Sequence, residues 1–104
     1  MFNKTSYKKK NLKKFSFLVY GLGSTGSSVI NYFKKKNISK YVAWDDNVNL
    51  RKKFSKKVTR NLKTSMKDVN FIVLSPGISL KKTKYKKDLI KFKKKLLQIS
   101  IYFI

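Results

Sequence analysis

A chain of 104 residues with 27 basic and four acidic side chains, no cysteine and no histidine carries a formal net charge of +23. Its length suits one core and not two. The missing residue types exclude a disulfide framework, a thiolate metal site, a thiol nucleophile and the commonest general base.

The charge attracts polyanions, yet every basic residue except Arg51 and Arg60 is lysine, whereas bidentate phosphate and base-edge recognition favours arginine. The lysines run through every loop and predicted helix beside many asparagines, isoleucines and phenylalanines, as the drift of an A/T-rich coding sequence would leave them. Nucleic-acid binding is therefore expected to be at most non-specific, through lysines, and steeply salt-dependent.

Residues 1–14 are polar and lysine-rich and read as a flexible basic lead-in. The apolar stretch at 15–20 is too short for a signal-peptide core, and no run approaches the ~18–20 apolar residues that span a bilayer. A cytoplasmic location without membrane association is the expectation. Residues 15–20 themselves, aromatic and β-branched, suit a strand buried on both faces of a parallel sheet.

That strand breaks into Gly21, Gly23 and Gly26, spaced G-x-G-x-x-G. Gly21 permits a sharp exit, Gly23 lets backbone amides approach an anion, and Gly26 lets the next helix pack close to the sheet. A helix follows over 24–36, with Val29, Ile30 and Phe33 at helical spacing, Ser24 and Thr25 as cap candidates, and lysines in the last turn. Asn37 is its stop. Its N-terminus offers free N–H groups and partial positive charge to a diphosphate.

Residues 41–44 form a second apolar run ending at Asp45, Asp46 and Asn47, so strand, helix and strand make a βαβ unit. A carboxylate at Asp45 can accept hydrogen bonds from ribose hydroxyls or a base N–H. Read without a ligand, Asp45 and Asp46 cap the next segment or solvate a loop. Over 48–57 a short helix carries Leu50 and Phe54 four apart, and 58–62 reads as a brief third strand.

Phe71-Ile72-Val73-Leu74 is a buried-strand run cut by Ser75, Pro76 and Gly77, a rigid turn in which Gly77 takes the place that needs positive φ. Residues 85–95 fit an amphipathic helix with a solvated lysine face, and 96–101 a last strand. The alternation predicts an α/β fold: a Rossmann-like, doubly wound parallel sheet of about five strands in the order 3-2-1-4-5, spanning 15–104 as one domain. The glycine loop, the acid pair and the Ser75-Pro76-Gly77 turn then meet at the carboxyl ends of the strands, where ligands of such sheets bind.

GLGSTGSS after a strand, then VAWDDN, then FIVLSPGISL resembles the N-terminal domain of the MurD family, the UDP-N-acetylmuramoyl-L-alanine:D-glutamate ligases of peptidoglycan synthesis. The resemblance covers roughly 15–103. It implies a domain that holds the UDP part of UDP-N-acetylmuramoyl-L-alanine: Gly21, Gly23, Ser24, Thr25 and Gly26 facing the diphosphate, Asp45 and Asp46 by the uridine, and Ser75, Pro76 and Gly77 lining the same pocket.

The full family enzyme uses ATP and magnesium to make an acyl phosphate that the amine of D-glutamate attacks. Its phosphate loop, its magnesium ligands and its catalytic residues belong to central and C-terminal domains that this sequence does not contain, so the resemblance implies no cofactor or catalytic residue here. It implies a chain inactive alone, with the missing domains supplied in trans as one option. Near the end the family carries an acid-Ile-Glu-like segment where this sequence reads Gln98-Ile99-Ser100-Ile101-Tyr102. That departure suits a truncated or decayed reading frame. Two alternatives of other classes stay open: an NAD-type dinucleotide-binding oxidoreductase fragment, and a lysine-rich nucleic-acid-binding protein.

Overall fold

The computed structural model describes residues 12–98. Four parallel strands form one sheet: β1 (Phe17–Tyr20), β2 (Tyr41–Trp44), β3 (Phe71–Leu74) and β4 (Leu96–Gln98), in the spatial order β2-β1-β3-β4. Four α-helices connect or follow them: α1 (Ser24–Lys35), α2 (Val48–Lys52), α3 (Leu62–Asp68) and α4 (Lys86–Lys91). Short 3-10 turns occupy Leu12–Lys14 and Lys93–Lys95.

The central strand shows why the sheet is covered on both sides. All four residues of β1 are buried, and the strand period of two sends them to opposite faces. Phe17 and Val19 join Val29, Ile30 and Phe33 of α1 in one core, while Leu18 and Tyr20 join Leu62 and Met66 of α3 and Leu89 of α4 in the other. This is the doubly wound arrangement.

Helix α1 buries Gly26, Val29, Ile30 and Phe33 along one stripe. It stops where predicted, and the stop has a mechanism. Asn37 adopts φ 57°, a left-handed conformation that asparagine tolerates. The Asn37 and Ile38 N–H groups then donate back to the Lys34 and Phe33 carbonyls at 3.2 and 2.8 Å, closing a Schellman motif. Ile38 is buried beside Phe33, the apolar contact that accompanies this cap.

The expected five strands become four among the described residues. The stretch predicted as a third strand makes a single parallel bridge, Val58 to Ala43. It lies on the far side of β2, where the order 3-2-1-4-5 puts it. The chain then leaves the sheet because Asn61 caps a helix: its side chain accepts from the Thr64 N–H at 3.1 Å, and Leu62 and Met66, four apart, carry α3 into the core.

The helix predicted over 48–57 shrinks to Val48–Lys52, capped by the Asn47 side chain on the Asn49 N–H. The one predicted over 85–95 divides into α4 and the 3-10 turn. Leu12, within the predicted lead-in, and Phe15 both pack against the α1-side core. Residues 1–11 and the 99–101 end of the last predicted strand lie outside the described residues. No helix among the described residues is long and apolar enough to cross a membrane.

Candidate functional site at the carboxyl edge of the sheet

Register brings the predicted segments together. Tyr20 pairs with Trp44 on one side and with Leu74 on the other, so three strands end level. The ladder runs one residue further: the Gly21 N–H donates to the Trp44 carbonyl at 2.7 Å, and the Ser75 N–H to the Tyr20 carbonyl at 3.0 Å. The glycine loop, the acid pair and the Ser75-Pro76-Gly77 turn therefore share one edge.

Within that edge the ten predicted residues divide into a buried frame and an open rim. Gly21, Gly26, Asp45 and Ser75 form the frame. Gly21 takes φ 110°, and a Cβ there would lie 2.5 Å from the Ser75 Cβ and 3.0 Å from Ile78. Only glycine fits. A Cβ on Gly26 would overlap the Gly21 carbonyl oxygen, so α1 starts this close to the loop because Gly26 has no side chain.

Asp45, 6% exposed, spends its carboxylate on backbone. Its Oδ2 accepts from the Leu22 N–H at 2.7 Å and its Oδ1 from the Asn47 N–H at 2.8 Å. The acid expected beside a uridine thus also fixes the shape of the glycine loop.

Gly23, Ser24, Pro76 and Gly77 are exposed, and Thr25 half-buried. Two local expectations are corrected here. Gly23, not Ser24 or Thr25, is the N-cap of α1, and no side chain caps that helix. The chain reaches the helix in extended geometry one residue earlier than the hydroxyl pattern suggests, so both hydroxyls sit inside the first turn. Gly77 does not take positive φ, which among the described glycines belongs to Gly21 alone. The Ile78 N–H still closes the turn onto the Ser75 carbonyl at 3.0 Å, in a form any residue could adopt.

A Cβ at Gly23 or Gly77 would meet nothing within 4 Å. Neither glycine is demanded by the packing of the chain itself. That open space, beside a helix N-terminus whose first-turn donors lack a side-chain cap, is what an anion would enter.

Asp46 is the centre of a network that the sequence did not disclose. Its Oδ1 accepts from the Tyr20 hydroxyl at 2.7 Å and from the Trp44 indole N–H at 3.0 Å, and its Oδ2 from the Thr83 hydroxyl at 2.7 Å. Burial pushes the Asp46 carboxyl up, but the bonds from Thr83, Trp44 and Tyr20, with the charge of Lys84, outweigh it and hold the group below the ordinary carboxylate range. Burial pushes the Tyr20 phenol far above its usual value.

Arg51 closes the outer side. Its guanidinium lies 4.3 Å from the Trp44 ring centre and donates to the Asp45 carbonyl at 2.7 Å. Tyr20 could have been suspected as a polar tip ending an otherwise apolar strand; Thr83, set among lysines, gave no comparable signal. A separate cavity of about 310 Å3, lined by Ser28, Asn31, Tyr32 and Lys35 along α1, involves none of the predicted site residues.

A parallel sheet covered on both faces, with a glycine loop opening its first helix and further loops gathered at the carboxyl edge, defines a Rossmann-like α/β domain. Residues 15–91 match the family described as Mur ligase MurD-like, N-terminal domain, and the chain belongs to it. The UDP-N-acetylmuramoylalanine–D-glutamate ligase of Wolbachia sp. subsp. Brugia malayi (strain TRS) is 38% identical over 81 residues, which cover 65% of this chain and 14% of that ligase. The chain thus spans a small part of that curated relative's length. No solved structure matches it significantly.

Proposed function

We propose that this chain binds the uridine diphosphate portion of UDP-N-acetylmuramoyl-L-alanine, as the N-terminal domain of a MurD-type, ATP-dependent, D-glutamate-adding ligase of peptidoglycan synthesis. The observation that carries the proposal is the open space at Gly23, at the uncapped start of α1 and on the same edge as Pro76 and Gly77. The diphosphate lies against the first-turn N–H groups of α1. The uridine lies toward Asp45 and Asp46 at the end of β2, and the Ser75-Pro76-Gly77 turn closes the opposite wall.

The carboxylate oxygens of both acids are occupied within the chain, so they act chiefly by shaping that end of the pocket. In this reading ATP and magnesium act on other domains of the full ligase, and the 104 residues alone do not ligate. ATP-dependent acyl-phosphate turnover by the purified chain would contradict that.

Gly23→Ser tests the site. Its backbone, φ −72° and ψ −159°, suits serine, and serine is a preferred N-cap. Stability is expected to hold or rise by a few tenths of a kcal/mol. UDP affinity, measured by calorimetry, is expected to fall about tenfold or more as the serine side chain takes the anion's place and its donors. Unchanged UDP affinity in a folded Gly23→Ser chain would remove the diphosphate from this loop.

A further inference from the structure

Thr83 is buried in a segment that is otherwise exposed. Ser79, Leu80, Lys81, Lys82 and Lys84 all face solvent, whereas Thr83 is 9% exposed. Nothing apolar about a threonine among lysines explains that depth. Its hydroxyl does: it donates to Asp46 Oδ2 at 2.7 Å, lies 2.9 Å from the Tyr20 hydroxyl and accepts from the Tyr85 N–H at 3.2 Å.

These partners come from three places in the chain. Tyr20 is the last residue of β1 and fully buried, Asp46 follows β2, and Thr83 lies nine residues beyond the end of β3. A buried phenol needs a hydrogen-bond partner, and Tyr20 finds its acceptor outside its own strand, in the Asp46 carboxylate that also takes the Thr83 proton. The three groups therefore tie the segment after the Ser75-Pro76-Gly77 turn across the ends of β1 and β2.

The other end of that segment bears on the glycine loop. Ser75 and Ile78 fill the space that a Gly21 side chain would need. One strip of chain thus touches the loop at its beginning and Asp46 at its end.

We propose that Thr83 is a latch: by holding residues 76–85 down on Tyr20 and Asp46 it sets the wall of the candidate nucleotide site, and so acts as a positioning residue for UDP without touching it. The positioning role rests on the UDP-binding reading; the latch itself does not. Thr83→Val keeps the shape and removes the hydroxyl, and Thr83→Ser keeps the hydroxyl.

Hydrogen–deuterium exchange on the native 104-residue chain and on both variants, together with UDP titration by calorimetry, separates the possibilities. Thr83→Val is expected to speed exchange across 76–85 and to weaken UDP binding by about tenfold, the equivalent of one charge-assisted hydrogen bond, with far-UV circular dichroism unchanged. Thr83→Ser is expected to restore both to near native. Thr83→Ala, which removes the hydroxyl with less bulk, supplies the same comparison if Thr83→Val does not fold.

Native exchange rates in Thr83→Val would overturn the latch. Faster exchange with UDP affinity unchanged would overturn the positioning role. If the native chain bound no UDP, the nucleotide reading would fall and take the positioning role with it, while the exchange comparison would still decide whether the latch exists.

Discussion

Asp45 and Asp46 are neighbours with the same functional group and opposite circumstances. Asp45 is buried and bonded to backbone N–H groups, whereas Asp46 sits at the surface and gathers side chains. Because the Asp46 carboxyl titrates below its ordinary range, the stability it contributes is fully present above the unfolded value of about 4 and is lost as pH falls through the lower folded value. The Tyr20 phenol, raised by burial, works at the other limit: its contribution is complete below about pH 10 and is lost as pH rises toward its folded value. Urea midpoints across pH should therefore stay level between these limits, and Asp46→Asn should flatten the acid limb. The glycines divide in a similar way. Gly21→Ala should cost at least about 1–3 kcal/mol in urea unfolding, because positive φ and the Ser75 contact both oppose a methyl group. Gly23 has no such constraint.

At the level of elements, strong apolar runs were legible and a weakly amphipathic helix was not. Strands β2 and β3 fall where the sequence predicts them because each is a continuous apolar run cut by acids or by proline and glycine. Helix α1 was legible from its stripe and its asparagine stop. Helix α3 was not. Its signal is Asn61 followed by Leu62 and Met66 within a seven-residue helix, and Val58, which does bridge to β2, drew 58–62 into a strand reading that left the rest of the helix without an element. Met66 is fully buried, so Met66→Ala should cost about 2–5 kcal/mol, whereas Asn61→Ala should cost about 1 kcal/mol through the lost cap. Equal small losses from both, by chemical denaturation, would mean that α3 does not anchor its side of the sheet. The candidate site was legible as a set of backbone segments, since glycine spacing and strand ends fix where they meet. Its side-chain network was not, because Tyr20 and Thr83 lie 63 residues apart and meet only through the sheet.

In the molecule as a whole, both faces of the sheet are covered by separate cores. The two cores bury Phe17, Phe33, Tyr20 and Tyr41, and among the described residues every other aromatic ring is half-buried, so none of these stands fully open to stack on bases among the surface lysines. Polyanion binding should therefore be weak and should collapse between low and physiological salt. The central claim is different: one edge of the sheet is built for a uridine diphosphate. Trp44, the only tryptophan in the chain, donates to Asp46 on that edge, so its emission is expected to change when a ligand arrives there. Titration of the native chain with UDP, UDP-N-acetylmuramoyl-L-alanine and NAD, followed by calorimetry and Trp44 fluorescence at physiological salt, tests this most directly. The account predicts saturable binding of both uridine compounds, with the larger one tighter and NAD much weaker; preference for NAD, or no heat with either uridine compound, would contradict it.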